Sequence, residues 1–139
     1  MVFKLFLDAN ILLDLTLKRN GHEKARYIIE LAEDNKLQLF ISASIVHILG
    51  YYLTKHHGHE KAKQLIAELL IDITVIDIPH GVILTALNSQ ITDIEDALQY
   101  YTALHHKLDY FISQDKKLKK RSLPVLPIHT IQEFLDELI

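Results

Sequence analysis

Cysteine is absent from the 139-residue chain. Disulfide scaffolds and thiolate metal centres are therefore excluded. No apolar run reaches the length of a membrane span, and the opening VFKLFL is too short for a signal peptide. The expectation is a soluble, cytoplasmic protein with no membrane partner. A strong positive charge is missing as well. The net charge of −3 argues against a general basic coat for nucleic acid, though not against a local basic patch. No internal repeat, low-complexity tract or linker-like composition divides the chain, so residues 1–139 are read as a single domain. Hydrophobic residues make up 49% of it, enough to bury a core rather than stay disordered.

What is present alternates in type. Short β-rich runs at 2–7, 37–41, 73–78, 109–113 and 125–128 predict strands. Between them lie longer segments with apolar residues spaced by three and four. The spacing predicts an early helix near Asn10, then one opened by Asn20 with Glu23 three residues on. Further helices are predicted from Ser42, after Gly58, from Thr92 with Glu95, and from Thr130 with Glu133. Strands alternating with helices imply an α/β fold: a three-layer α/β/α sandwich around a mostly parallel sheet of about five strands. In such a sheet the carboxyl ends of the strands and the amino ends of the following helices share one rim, where ligands bind.

Polar residues collect on that rim by position alone. Asp8 and Asn10 end the first strand, and Ser42 ends the second. His47 follows about a turn into the next helix. Asp93 and Asp96 open the Thr92 helix, and Ser113 and Asp115 end the fourth strand. Carboxylates brought together from separate stretches repel and raise one another's pKa, and a divalent cation removes that penalty. Each acid also has a structural reading. Asp8 suits a helix cap, Asp93, Glu95 and Asp96 suit a helix amino end, and Asp115 suits a turn. Convergence is what favours a site.

Four stretches in order, FLDANILLDL, FISASIVHIL, TDIEDALQYYTA and DYFISQDKKL, resemble the PIN domain, the fold of VapC-type toxin ribonucleases and other metal-dependent nucleases. The resemblance implies that Asp8, Asp96 and Asp115 bind metal, with Asp93 an accessory acid and Asn10 and Ser113 supporting groups. It implies hydrolysis of RNA phosphodiesters with Mg2+ or Mn2+, leaving a 5′-phosphate and a 3′-hydroxyl. It also implies an antitoxin protein as a candidate partner.

One feature departs from the family pattern. A glutamate is expected in the helix after the second strand, yet SASIVHILGYYLTK contains no acid. His47 stands nearest the expected place, with Ile48 the alternative register. Histidine suits manganese or later metals better than magnesium. The competing expectation is thus a weakened or catalytically inactive PIN-like module that binds RNA or a protein.

Two other features bear on partners. Lys116, Lys117, Lys119, Lys120 and Arg121 crowd one stretch directly after Asp115 and are candidates for holding an RNA backbone; a solvated loop is the plain alternative. Lys18 and Arg19 are placed to join them. His56, His57 and His59 flank Gly58 and read as a surface turn. Tyr51, Tyr52, Tyr100 and Tyr101 would suit a homodimer or antitoxin groove, although helical aromatics more often belong to a core.

Overall fold

The structure, a computed structural model, describes residues 2–138. Its chain order is β1 (Phe3–Leu7), α1 (Ala9–Thr16), α2 (His22–Glu33), β2 (Leu37–Ser42), α3 (Ala43–His57), α4 (His59–Leu69), β3 (Ile73–Ile76), α5 (His80–Leu87), α6 (Ile94–His105), β4 (Tyr110–Ile112), α7 (Lys116–Lys119), β5 (Ile128–His129) and α8 (Ile131–Glu137). The five strands lie in the order β3-β2-β1-β4-β5, and every pairing is parallel. The α/β sandwich expected from the alternating pattern is the one observed. No helix is long and apolar enough to cross a membrane.

Alternation along the central strands assigns the layers. Leu5, Phe6 and Leu7 are all fully buried, as are Phe111 and Ile112, because both faces of the sheet are covered. On one face Phe6 stacks on Phe111 at 5.2 Å, and Tyr100 of α6 lies 5.5 Å from Phe111. On the other face Phe3 meets Tyr110 and Phe134 of α8 edge-on. There α1 packs on α2 and α3, α3 on α4, and α2 on α8. The α5–α6 pair covers the Phe6 face, as right-handed crossovers require when the strand order reverses.

Several local expectations are corrected. The α2 helix is not capped by Asn20; Gly21, at φ 86°, takes the cap position without a side-chain bond. The α6 helix is capped by Asp93 rather than Thr92. Thr130 and Glu133 do form the expected capping box. Helix α5 was not predicted, since HGVILTAL is apolar nearly all round and presents no periodic stripe. The fifth strand starts at Ile128, not at residue 125. Leu126 N donates to Leu123 O at 3.0 Å, which closes a turn, and Pro127 has no N–H for a ladder.

Tyr100 ties this region together. Its ring is fully buried, and its hydroxyl donates to Leu126 O and accepts from Leu123 N, both at 2.7 Å. The side chain clamps α6 to the segment that enters β5. Tyr100→Phe leaves a buried carbonyl and an amide without their partner. Urea unfolding should show a loss of about 2 kcal/mol; an unchanged midpoint would remove the clamp from the account.

Candidate active site

The strand order reverses between β1 and β4, and their carboxyl ends form the crevice where an α/β sheet binds ligands. Asp8 stands there, only 5% exposed. Its backbone N–H donates to Ile112 O at 3.0 Å, and its Oδ2 accepts from Ser113 Oγ at 2.8 Å. Although Asp8 occupies the cap position of α1, its side chain makes no capping hydrogen bond. Burial pushes its carboxyl above the usual range. The Ser113 hydroxyl and the nearby amides of Asn10 and Ala9 offset part of this, and the charge of Asp115 adds to it.

Ser113 is a two-way support. While its hydroxyl donates to Asp8, it accepts from Asp115 N at 3.1 Å. Asp115 in turn caps α7, accepting from Lys117 N at 2.8 Å and Leu118 N at 3.3 Å. On α6 the Oδ1 of Asp93 accepts from Asp96 N at 3.0 Å. Asp96 is half-buried among the other acids. Desolvation, then the charges of Asp8, Asp93, Asp115 and Glu95, push its carboxyl up to about 7. Carboxylates from three stretches of chain therefore do share one rim, and the turn and cap roles of Asp93 and Asp115 hold as well.

The other predicted residues separate. Asn10 is at the rim, where its Oδ1 accepts from Arg19 at 3.3 Å; Arg19 also pairs with Asp14 at 3.0 Å. Ser42 is fully buried and bonds to Ser44 Oγ at 2.7 Å, without capping α3. His47 is exposed. On α3, Ile45, Leu49 and Leu53 face the core, which turns His47 outward and brings Ile48 and Tyr52, four apart, onto the site wall. Of the two candidates for the expected glutamate's place, Ile48 lines the cleft and His47 is exposed. His56, His57 and His59 are exposed around Gly58, as a surface turn.

Asp96 borders two clefts. One, of about 640 Å³, is lined by Asp93, Asp96 and Asp115 together with Lys117, Lys120 and Arg121. The second, of about 190 Å³, is lined by Asp8, Asn10, Arg19, Ile48, Tyr52, Glu95, Asp96 and Gln99. The cleft sorts the basic run: Lys117, Lys120 and Arg121 line it. Lys119 instead pairs with Glu133 of α8, and Lys116 points to solvent outside the cleft. Gln99 was not anticipated. The available signal was a polar residue three beyond Asp96 on an otherwise buried helix face.

The PIN domain family profile matches residues 4–117. The chain belongs to the PIN domain family. No curated protein sequence matches it. Among solved structures, VapBC2 from Rickettsia felis bound to a promoter DNA fragment is similar, with TM-score 0.71 at 18% identity over 92% of this chain and 98% of that one. DNA-bound VapBC from Salmonella typhimurium gives TM-score 0.67 at 17% identity, over 94% and 99%. Mycobacterium tuberculosis VapC20, described as a sarcin-ricin loop cleaving toxin, gives 0.65 at 14%, over 84% and 93%. At these identities the likeness is one of fold.

The donor chemistry of this PIN domain fits a hard divalent cation: carboxylate oxygens around a half-desolvated acid whose proton affinity is raised by its neighbours. Among the described residues no three acids or histidines already stand together as a cage. The hydrogen bonds above show why: Asp93 and Asp115 are turned to their own helix ends.

The raised Asp96 sets a pH dependence. Its folded form binds a proton more tightly than the unfolded chain, whose carboxyl titrates near 3.8. Metal-free stability from this group is full below about pH 4 and is lost as pH rises through about 7. Thermal melts in chelator should therefore show Asp96→Asn matching wild type near about pH 4 and exceeding it at about pH 8. Solvent screening of a half-exposed charge limits the gain to about 1–2 kcal/mol. A variant less stable than wild type at both pH values would contradict this.

Proposed function

We propose that this PIN domain is a single-domain, metal-dependent endoribonuclease using Mg2+ or Mn2+. The observation that carries the reading is one cleft lined by the acids Asp93, Asp96 and Asp115 together with Lys117, Lys120 and Arg121. Asp8 and Asp96 would hold the cation, and Asp115 would join them by turning from the α7 amino end. Ser113 fixes Asp8 by hydrogen bond, and Asn10 borders the same crevice. A bound cation supplies neutralisation of the acids, a Lewis acid for the phosphate and activation of water. Lys117, Lys120 and Arg121 would hold the RNA backbone so that one phosphodiester rests against the acids.

The solved relatives include toxin–antitoxin complexes. They support a toxin role here with an antitoxin protein as partner; a homodimer is a further candidate assembly. A second reading, a weakened or inactive RNA-binding module, is favoured by the absence of any acid from α3, where apolar Ile48 lines the cleft.

Cleavage of fluorescent RNA with Mg2+ and with Mn2+ tests both. The nuclease reading expects activity that falls at least about a hundredfold in Asp8→Asn and Asp96→Asn. Equal background in wild type and variants would reject it. Ile48→Glu adds an acid to the site, whereas His47→Glu adds one to solvent. A large gain with Ile48→Glu and none with His47→Glu is expected if the natural site is weakened; the reverse pattern would overturn the placement of His47.

A further inference from the structure

Two tyrosines on α3, Tyr51 and Tyr52, are 61% and 42% exposed. They take no place in the core that Ile45, Leu49 and Leu53 of the same helix join. Tyr52 lines the smaller cleft with Asp8, Asn10, Arg19 and Asp96. That cleft shares Asp96 with the larger one, which carries Lys117, Lys120 and Arg121. An accessible aromatic side chain therefore borders the same acids that the phosphodiester is to reach. Tyr51 stands edge-on to Tyr52, centroids 5.1 Å apart at 87°, so neither ring is stacked face to face on the other. Lys55 Nζ lies over the Tyr51 ring at 6.0 Å, whereas Tyr52 opens on the cleft. Charged Asp8, Arg19, Glu95 and Asp96 share this cleft, whereas the centre of a protein-docking groove is depleted of charge. Single-stranded nucleic acid asks for a different combination: cations for the backbone and an aromatic surface on which a base stacks.

We infer that Tyr52 is a stacking platform for an unpaired base of the RNA, beside the phosphodiester that the acids receive. The inference rests on the RNA reading above, which the nuclease and the inactive module share, and adds to it a residue that positions the strand. Every base has a π-face, so stacking on Tyr52 adds affinity and placement without selecting a sequence. The ring does this and the hydroxyl does not. Tyr52→Phe therefore keeps the role, while Tyr52→Leu keeps an apolar side chain and loses it.

The test is fluorescence titration of the full chain with a single-stranded uridine tract carrying one 2-aminopurine, whose emission falls when it stacks on an aromatic ring. It is run in chelator and again with Ca2+, a hard cation, with the strands checked on a gel for cutting. Wild type should bind the tract and quench it. Tyr52→Ala and Tyr52→Leu should bind about tenfold more weakly and lose the quenching, while Tyr52→Phe keeps both. A fluorescein-labelled abasic strand, which retains the phosphates, should bind wild type and Tyr52→Ala alike. Tyr27→Ala, at a comparably exposed tyrosine that lines neither cleft, should match wild type. Tyr52 is exposed, so the variants should melt close to wild type. Wild-type affinity and quenching in Tyr52→Ala would overturn the platform and leave the RNA reading standing. Unchanged RNA binding with altered self-association in sedimentation would overturn it too and make Tyr52 a protein contact. No RNA binding by wild type in either condition would overturn the RNA reading itself, and this role with it.

Discussion

The hydrogen bond from Ser113 to Asp8 is the contact on which the site depends. A carboxylate this deeply buried is expensive to ionise unless donors surround it. The protein meets that cost at the seam between β1 and β4, where the two strand ends lie side by side. The same hydroxyl accepts from the Asp115 amide and so fixes the turn that begins α7. One serine therefore sets the position of two acids whose codons lie far apart. Aromatic stacking of Phe6 on Phe111 just below holds the two strands in register beneath it. Packing, register and site geometry are one arrangement here.

Charge explains the shape of the surroundings. Asp96 shows this most clearly: burial first, then the charges of Asp8, Asp93, Asp115 and Glu95, hold its carboxyl well above the usual range. The basic residues of the cleft are Lys117, in the four-residue helix α7 capped by one of the acids, and Lys120 and Arg121, which follow it. The Lys119–Glu133 pair ties that helix to α8, which leaves Lys117 and Lys120 facing the cleft. Positive and negative surfaces are thus kept close without neutralising each other directly. A polyanion seated on the basic side would place its phosphate near the acids, which is the juxtaposition a phosphodiesterase needs.

Much of this was legible in the sequence. The strand ends put Asp8, Ser113, Asp115 and the α6 acids on one rim because a parallel sheet leaves no other place for them. Ser113 fell on that rim for the same reason, while its supporting role was implied only by the resemblance to the PIN domain. What was not legible depended on rotation about a helix axis or on local bonding. A shift of one residue on α3 exchanges His47 for Ile48, and only the burial of Ile45 and Leu49 decides between them. The basic run looked uniform until the structure showed which of its members line the cleft. Gln99 was hidden because a single polar residue within DALQYYTA carries no motif. Helix α5 escaped because uniform apolarity has no period.

The central claim is that a cation belongs on the Asp8 and Asp96 side of the rim, and not among the histidines. Paramagnetic broadening of side-chain NMR signals by substoichiometric Mn2+ tests it most directly. The carboxyl signals of Asp8 and Asp96 should broaden first, while the His47, His56 and His57 rings stay sharp. Broadening centred on the histidines, with the Asp8 and Asp96 signals unaffected, would contradict it.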